Sequence, residues 1–260
     1  MTTATNAQLD LSPAPAAASR PSMIWAQSQF ELRLMLRNGE QILLTLIIPL
    51  FLLVGLTSVG WVELGSGARI DIVTPGIFAL AIMSTAFTAQ AISVGFDRRY
   101  GVLKLLGSTP LSRTGLVASK TLAVLAVEVI QIALISSVAF VLGWDPQGNP
   151  AAAVLLMIFG TAAFSALGLA LAGLLRAEAT LAVANGIYLI LLLAGGTIIP
   201  QEKLPGWLAS ATELLPSGAL GNGLRDVLLN GSTMPVGPLL VLAAWFLFGL
   251  IVAARTFRWE

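Results

Sequence analysis

From Ile72 to Gly95 the chain runs for 24 residues without one ionisable side chain. A helix rises about 1.5 Å per residue, so this stretch is long enough to cross the ~30 Å hydrocarbon core of a bilayer. Apolar runs of comparable length recur at about 41–60, 121–143, 151–175, 179–197 and 237–254. Only 10% of the 260 residues are charged, against about 25% in an ordinary soluble domain. The expected fold is an all-α integral membrane protein with six transmembrane helices.

The segments between and before these runs have their own character. Residues 1–22 are mostly Thr, Ala, Pro and Ser, too poor in large apolar side chains to offset ordering entropy, and read as a disordered cytoplasmic tail. Residues 23–39 place Ile24, Trp25, Leu32, Met35 and Leu36 on one arc of a helix and Gln29, Arg33 and Arg37 on another. That pattern fits an amphipathic interfacial helix, with Trp at headgroup level and Arg toward phosphates. Residues 40–260 then form the six-span domain. Pro75 and Pro238 fall near the starts of their spans, where a missing N–H costs little, whereas Pro49 lies within the first and is expected to kink it. Gly168-xxx-Ala172 and Ala182-xxx-Gly186 have the spacing of close helix contacts.

Charge sets the orientation. An even number of spans puts both termini on one side, and that side collects 11 of the 14 Lys and Arg residues, leaving Arg69, Lys203 and Arg225 opposite. By the positive-inside rule both termini are cytoplasmic. The net charge of +1 gives no basis for binding nucleic acid. With no His and no Cys, disulfides, thiolate nucleophiles, imidazole bases and the usual zinc sites are excluded, and no metal site is expected.

Between spans two and three lies a charged island, GFDRRYGVLKLLGSTPLSR. Setting topology explains positive charge there but not its pattern. Val102, Leu103, Leu105 and Leu106 alternate with Arg98, Arg99 and Lys104, which fits a short interfacial helix over 97–106 that Gly107 ends. Thr109-Pro110 then restarts a helix, with Thr as N-cap and Pro at the first helical position. A stub held by two long spans is a stiff lever for a soluble partner.

The sequence DRRYGVLKLLGSTPLSRTGLVASK resembles the cytoplasmic signature of ABC type-2 exporter permeases: a charged pair (Arg98-Arg99), Gly101, Leu105-Leu106, Thr109-Pro110-Leu111-Ser112, and Lys120 leading into the third span. Family members often open this segment with a Glu-Arg-Glu-like run; here Asp97 alone is acidic. The helix at 23–39 resembles the family's connecting helix. Residues 200–231, with Pro200, Leu204-Pro205, Trp207-Leu208, Leu215-Pro216, Leu220, Arg225 and Gly231, resemble its extracellular re-entrant pair between spans five and six. Pieces at 205–213 and 218–230 are too short to cross. The resemblance implies a permease subunit, not an enzyme, in the plasma membrane of a bacterium. It would pair with a second permease, identical or similar, and bind two copies of a cytoplasmic ABC ATPase. The chain has no Gly-x-x-x-x-Gly-Lys-[Ser/Thr] loop, so ATP and Mg are expected on that separate polypeptide and no cofactor on this one. Asp97, Arg98, Arg99, Gly101, Lys104, Leu105, Leu106, Thr109 and Pro110 are the implied ATPase-coupling residues.

Polar residues within spans are functional candidates. Glu128 lies eight residues past Lys120, about 12 Å along the helix; it is either a site for a cationic substrate or a neutral Glu bonded to a neighbouring helix. In the family, spans two and five line the central path, so Thr85, Thr88, Gln90, Asn185 and Tyr188 complete the candidate substrate path, with interhelical hydrogen bonding as the other reading. The expected substrate is a hydrophobic or amphiphilic drug or lipid; an exported polysaccharide or glycolipid is the alternative, although few aromatic rings line the spans. A gradient-driven carrier would need more intramembrane carboxylates. A membrane-embedded enzyme lacks its nucleophiles and metal ligands. A permease-like sensor keeps the same fold.

Overall fold

The computed structural model describes residues 18–58, 67–196 and 206–256. Most of the expected N-terminal tail, the end of the first span, and the 200–205 part of the extracellular segment lie outside the described residues. Among the described residues the structure is helical, and six helices are long and apolar enough to cross a membrane. In chain order these elements are α1 (Arg20–Arg37), α2 (Gly39–Ser58), α3 (Arg69–Arg99), α4 (Val102–Gly107), α5 (Arg113–Val141), α6 (Pro150–Leu174), α7 (Ala177–Ala194), α8 (Gly206–Leu214), α9 (Pro216–Leu228) and α10 (Val236–Thr256).

The long charge-free run forms the centre. Every residue of α3 from Ile72 to Thr88 is buried, as a helix apolar on all sides requires. Helices α2, α7 and α10 keep outward apolar faces, at Phe51, Leu193 and Leu240 for example. Both α3 (31 residues) and α5 (29 residues) are about 45 Å long, exceeding the hydrocarbon thickness. Their polar ends, at Asp97–Arg99 and Arg113–Lys120, therefore extend beyond the apolar stretch. Hydropathy alone placed span two at 72–95 and span three at 121–143 because it registers only the buried stretch. The same extension leaves Pro75 inside α3 rather than at its start.

Small residues set the closest helix approaches. A Cβ on Gly168 would stand 2.8 Å from the Phe87 carbonyl oxygen, and one on Gly249 2.9 Å from the Ala166 backbone. Gly186, of the other small-residue pair, has nothing within 4 Å and faces outward with Ala182. Gly168→Val is therefore expected to lower stability by about 1–3 kcal/mol through overpacking, while Gly186→Val leaves the folded monomer unchanged; thermal unfolding in detergent distinguishes the two.

The expected kink at Pro49 takes a defined form. Pro49 has no N–H for the Thr45 carbonyl, and the preceding turn, Leu43–Ile47, is π-helical. A second π-helical stretch, Met83–Ala89, lies in α3.

The connection between α3 and α5 differs from a single helix over 97–106. Asp97, Arg98 and Arg99 close α3. Gly101 then turns the chain with φ of +74°, a left-handed value that suits glycine, and the stub α4 covers only Val102–Gly107. No helix restarts at Thr109-Pro110. The Thr109 hydroxyl donates back to the Leu106 carbonyl at 2.6 Å, so it is spent on closing α4. Ser112 caps α5 instead, its Oγ accepting from Gly115 N at 3.1 Å.

The segment between the last two spans dips and returns. Trp245 Nε1 donates to Leu214 O at 2.8 Å, nine residues into α10, so the α8–α9 apex reaches about 14 Å along that span. Arg225 donates to Gly196 O at 2.7 Å and ties α9 to the end of α7.

Candidate functional site

Helix α1 lies along the protruding start of α5, with Ile24 packed near Gly115. Its inner face carries Ser28 and Glu31, both buried. Glu31 meets Lys120, whose Nζ stands 2.9 Å from both carboxylate oxygens and 2.7 Å from Asp97 Oδ2. Gln27 Nε2 also donates to Glu31, at 2.9 Å. Lys120 is only 4% exposed. One ammonium thus joins three elements: α1, the end of α3 and the start of α5. Taking such charges out of water is expensive, so the arrangement holds only while each has its partner.

The two arginines of the island also have partners within the chain. Arg98 donates to Gly173 O at 3.2 Å and to Leu175 O, satisfying carbonyls left open at the end of α6. Arg99 pairs with Glu178 in the first turn of α7; both side chains are well exposed, so this pair contributes little.

What the island presents outward is different. Leu103, 1% exposed, sinks among Val94, Leu116, Leu169, Ala172 and Ala253, residues of α3, α5, α6 and α10. Lys104 and Leu105 point away, Leu105 at 69% exposure, next to Tyr100 at 70%. Leu106 is half-buried, and Gly101, Thr109 and Pro110 are exposed. Leu103 thus seats α4 in an apolar cluster to which four spanning helices contribute.

Of the expected ATPase-coupling residues, Arg99, Lys104 and Leu105 therefore have accessible side chains, whereas Asp97 and Arg98 are half-buried against partners within the chain. Glu31 was not singled out from sequence, and Lys120 only as part of a motif. Their partnership spans 89 positions and has no local signature.

The intramembrane polar residues do not converge on one surface. Thr85 and Gln131 exchange side-chain hydrogen bonds at 2.8 and 3.1 Å, and the Gln131 amide also donates to the Thr45 carbonyl. Gln131 is thus the partner of the carbonyl that Pro49 leaves free, and it links both π-helical turns. Glu128 is buried with one oxygen against the Thr161 hydroxyl of α6. Thr88 and Gln90 are buried as well. Asn185 is exposed on α7, its amide bonded to Leu181 O at 3.0 Å, and Tyr188 is half-buried. Among the described residues no group of acidic side chains is placed to hold a metal ion.

A long spanning core, a short exposed stub between spans two and three and a dipping segment between spans five and six define a class of multi-pass transport protein. The chain belongs to the ABC-2 type transporter family, whose pattern matches residues 23–229, and it is an ABC transport permease. It is 24% identical over 241 residues to a protein of Bacillus subtilis (strain 168) named as a transport permease, YvfS, covering 88% of this chain and 95% of that one. It is also 25% identical over 191 residues to ABC transporter G family member 20 of Dictyostelium discoideum, covering 71% of this chain but only 26% of that much longer protein. Membership in the family implies association with an ABC ATPase.

Proposed function

We propose that this permease is the membrane subunit of an ATP-driven exporter that moves a hydrophobic or amphiphilic compound, a drug or a lipid, out of a bacterial cell. It pairs with a second permease, identical or similar. Two copies of a separate cytoplasmic ATPase, which carry the ATP and Mg, dock against α4, and both termini of this chain lie on that side. The observation that carries this reading is the outer face of α4, where Lys104 and Leu105 stand exposed on a stub anchored by Leu103. An exposed aliphatic side chain beside a cation, on a lever joined to four spans, is suited to a partner that pushes. Asn185, on the exposed face of α7, is the candidate path residue best placed to meet a substrate.

The test is recovery of a Walker-motif ATPase with this chain from native membranes in mild detergent, read by mass spectrometry. Lys104→Glu with Leu105→Glu is expected to cut recovery at least about tenfold, as loss of an interface anchor of ~2 kcal/mol would. Equal recovery with the double variant, or no ATPase with the native chain, would sink the proposal.

A further inference from the structure

Gln90 has an unusual position. It follows directly on the π-helical stretch of α3 and is 3% exposed. Both its amide nitrogen and its amide oxygen are buried without a hydrogen-bond partner in the protein. A primary amide offers two donors and two acceptor positions, and buried polar groups are as a rule satisfied. Gln90 borders a cavity of about 20 Å³ whose other polar lining residues are Glu31, Gln41, Ser93 and Lys120. That volume exceeds the ~10–15 Å³ needed to seat one water, and a buried water requires two to four polar partners.

We infer that this cavity is a binding site for one ordered water, which joins the Gln90 amide to the Lys120–Glu31–Asp97 cluster. The chemistry favours water over an ion. Lys120 already places a positive charge at the wall, which opposes a cation, and Glu31 opposes an anion. A neutral molecule that both donates and accepts matches an amide on one side and a carboxylate–ammonium pair on the other. The bridge extends the Lys120 cluster to the residue that directly follows the π-helical turn of α3. A bridging water exchanges partners at little cost, so this joint between α1, α3 and α5 holds its members while letting them shift. The site does not depend on what the protein transports.

Two measurements test it. Electron cryomicroscopy of the intact permease in lipid nanodiscs, at a resolution that shows ordered waters, is expected to place density within hydrogen-bond distance of the Gln90 amide and of Glu31 or Lys120. A dry cavity, or a Gln90 amide turned onto a protein group, would overturn the inference. Radiolytic labelling with X-rays generates hydroxyl radicals from bound water, and Met35 also lines the cavity. Gln90→Leu is expected to lower Met35 oxidation several-fold while labelling of the outward-facing Met234 stays constant. Unchanged Met35 labelling in the variant contradicts the site.

Discussion

Replacing Lys120 with Met is expected to destabilise the protein by about 3–5 kcal/mol, the cost of leaving buried carboxylates without their counter-charge. Glu31 and Asp97 both lose their ammonium, and Glu31 keeps only the Gln27 amide. Thermal unfolding in detergent reads the loss. The control lies in the partners: combining Lys120→Met with Glu31→Gln and Asp97→Asn removes the stranded charge and restores part of the stability. A triple variant no better than the single one would show that Lys120 acts through packing alone. The consequence for coupling is direct, because the same ammonium fixes α1 and the end of α3 to α5. Losing it removes the polar tie between α1 and the end of α3 that carries α4, while the packing of α1 on α5 remains.

Gln131→Leu is expected to cost about 1–3 kcal/mol, the penalty for a buried acceptor left without its donor. The acceptor is the Thr45 carbonyl, open because Pro49 has no N–H to offer it. This yields a sharper result than a single substitution. In a Pro49→Ala background the backbone N–H returns and supplies Thr45, so Gln131→Leu should cost markedly less there. Unfolding measured on all four proteins of this cycle gives the interaction term. Equal costs in both backgrounds would show that Gln131 serves Thr85 alone.

The six spans were legible because a bilayer demands about 20 apolar residues per crossing, and those runs stand plainly in the sequence. Helix ends were less so. Arg113 to Lys120 and Asp97 to Arg99 continue their helices beyond the apolar runs, where polarity hides helix from hydropathy. The stub between spans two and three was visible as an alternation of apolar and basic residues. Its inward and outward faces were not. Arg98 and Arg99 were expected to couple to an ATPase; their acceptors within the chain are carbonyls of α6 and a carboxylate of α7 some 75 to 79 positions away. A charge in a short loop says which side of the membrane it occupies, and nothing about which distant group neutralises it. Glu128 shows the same limit: Thr161 lies 33 residues on and only the packing of α5 on α6 brings it near.

On the proposed reading the outer face of α4 receives the ATPase. The chain contains no Cys, so single cysteines can be introduced without background. Leu105→Cys and Leu103→Cys, each treated with a short thiol-reactive crosslinker in membranes containing the ATPase, give the most direct reading. A crosslinked permease–ATPase species is expected for Leu105→Cys and none for the buried Leu103→Cys. Crosslinking through a cysteine at Arg98 but not at Leu105 would contradict this reading.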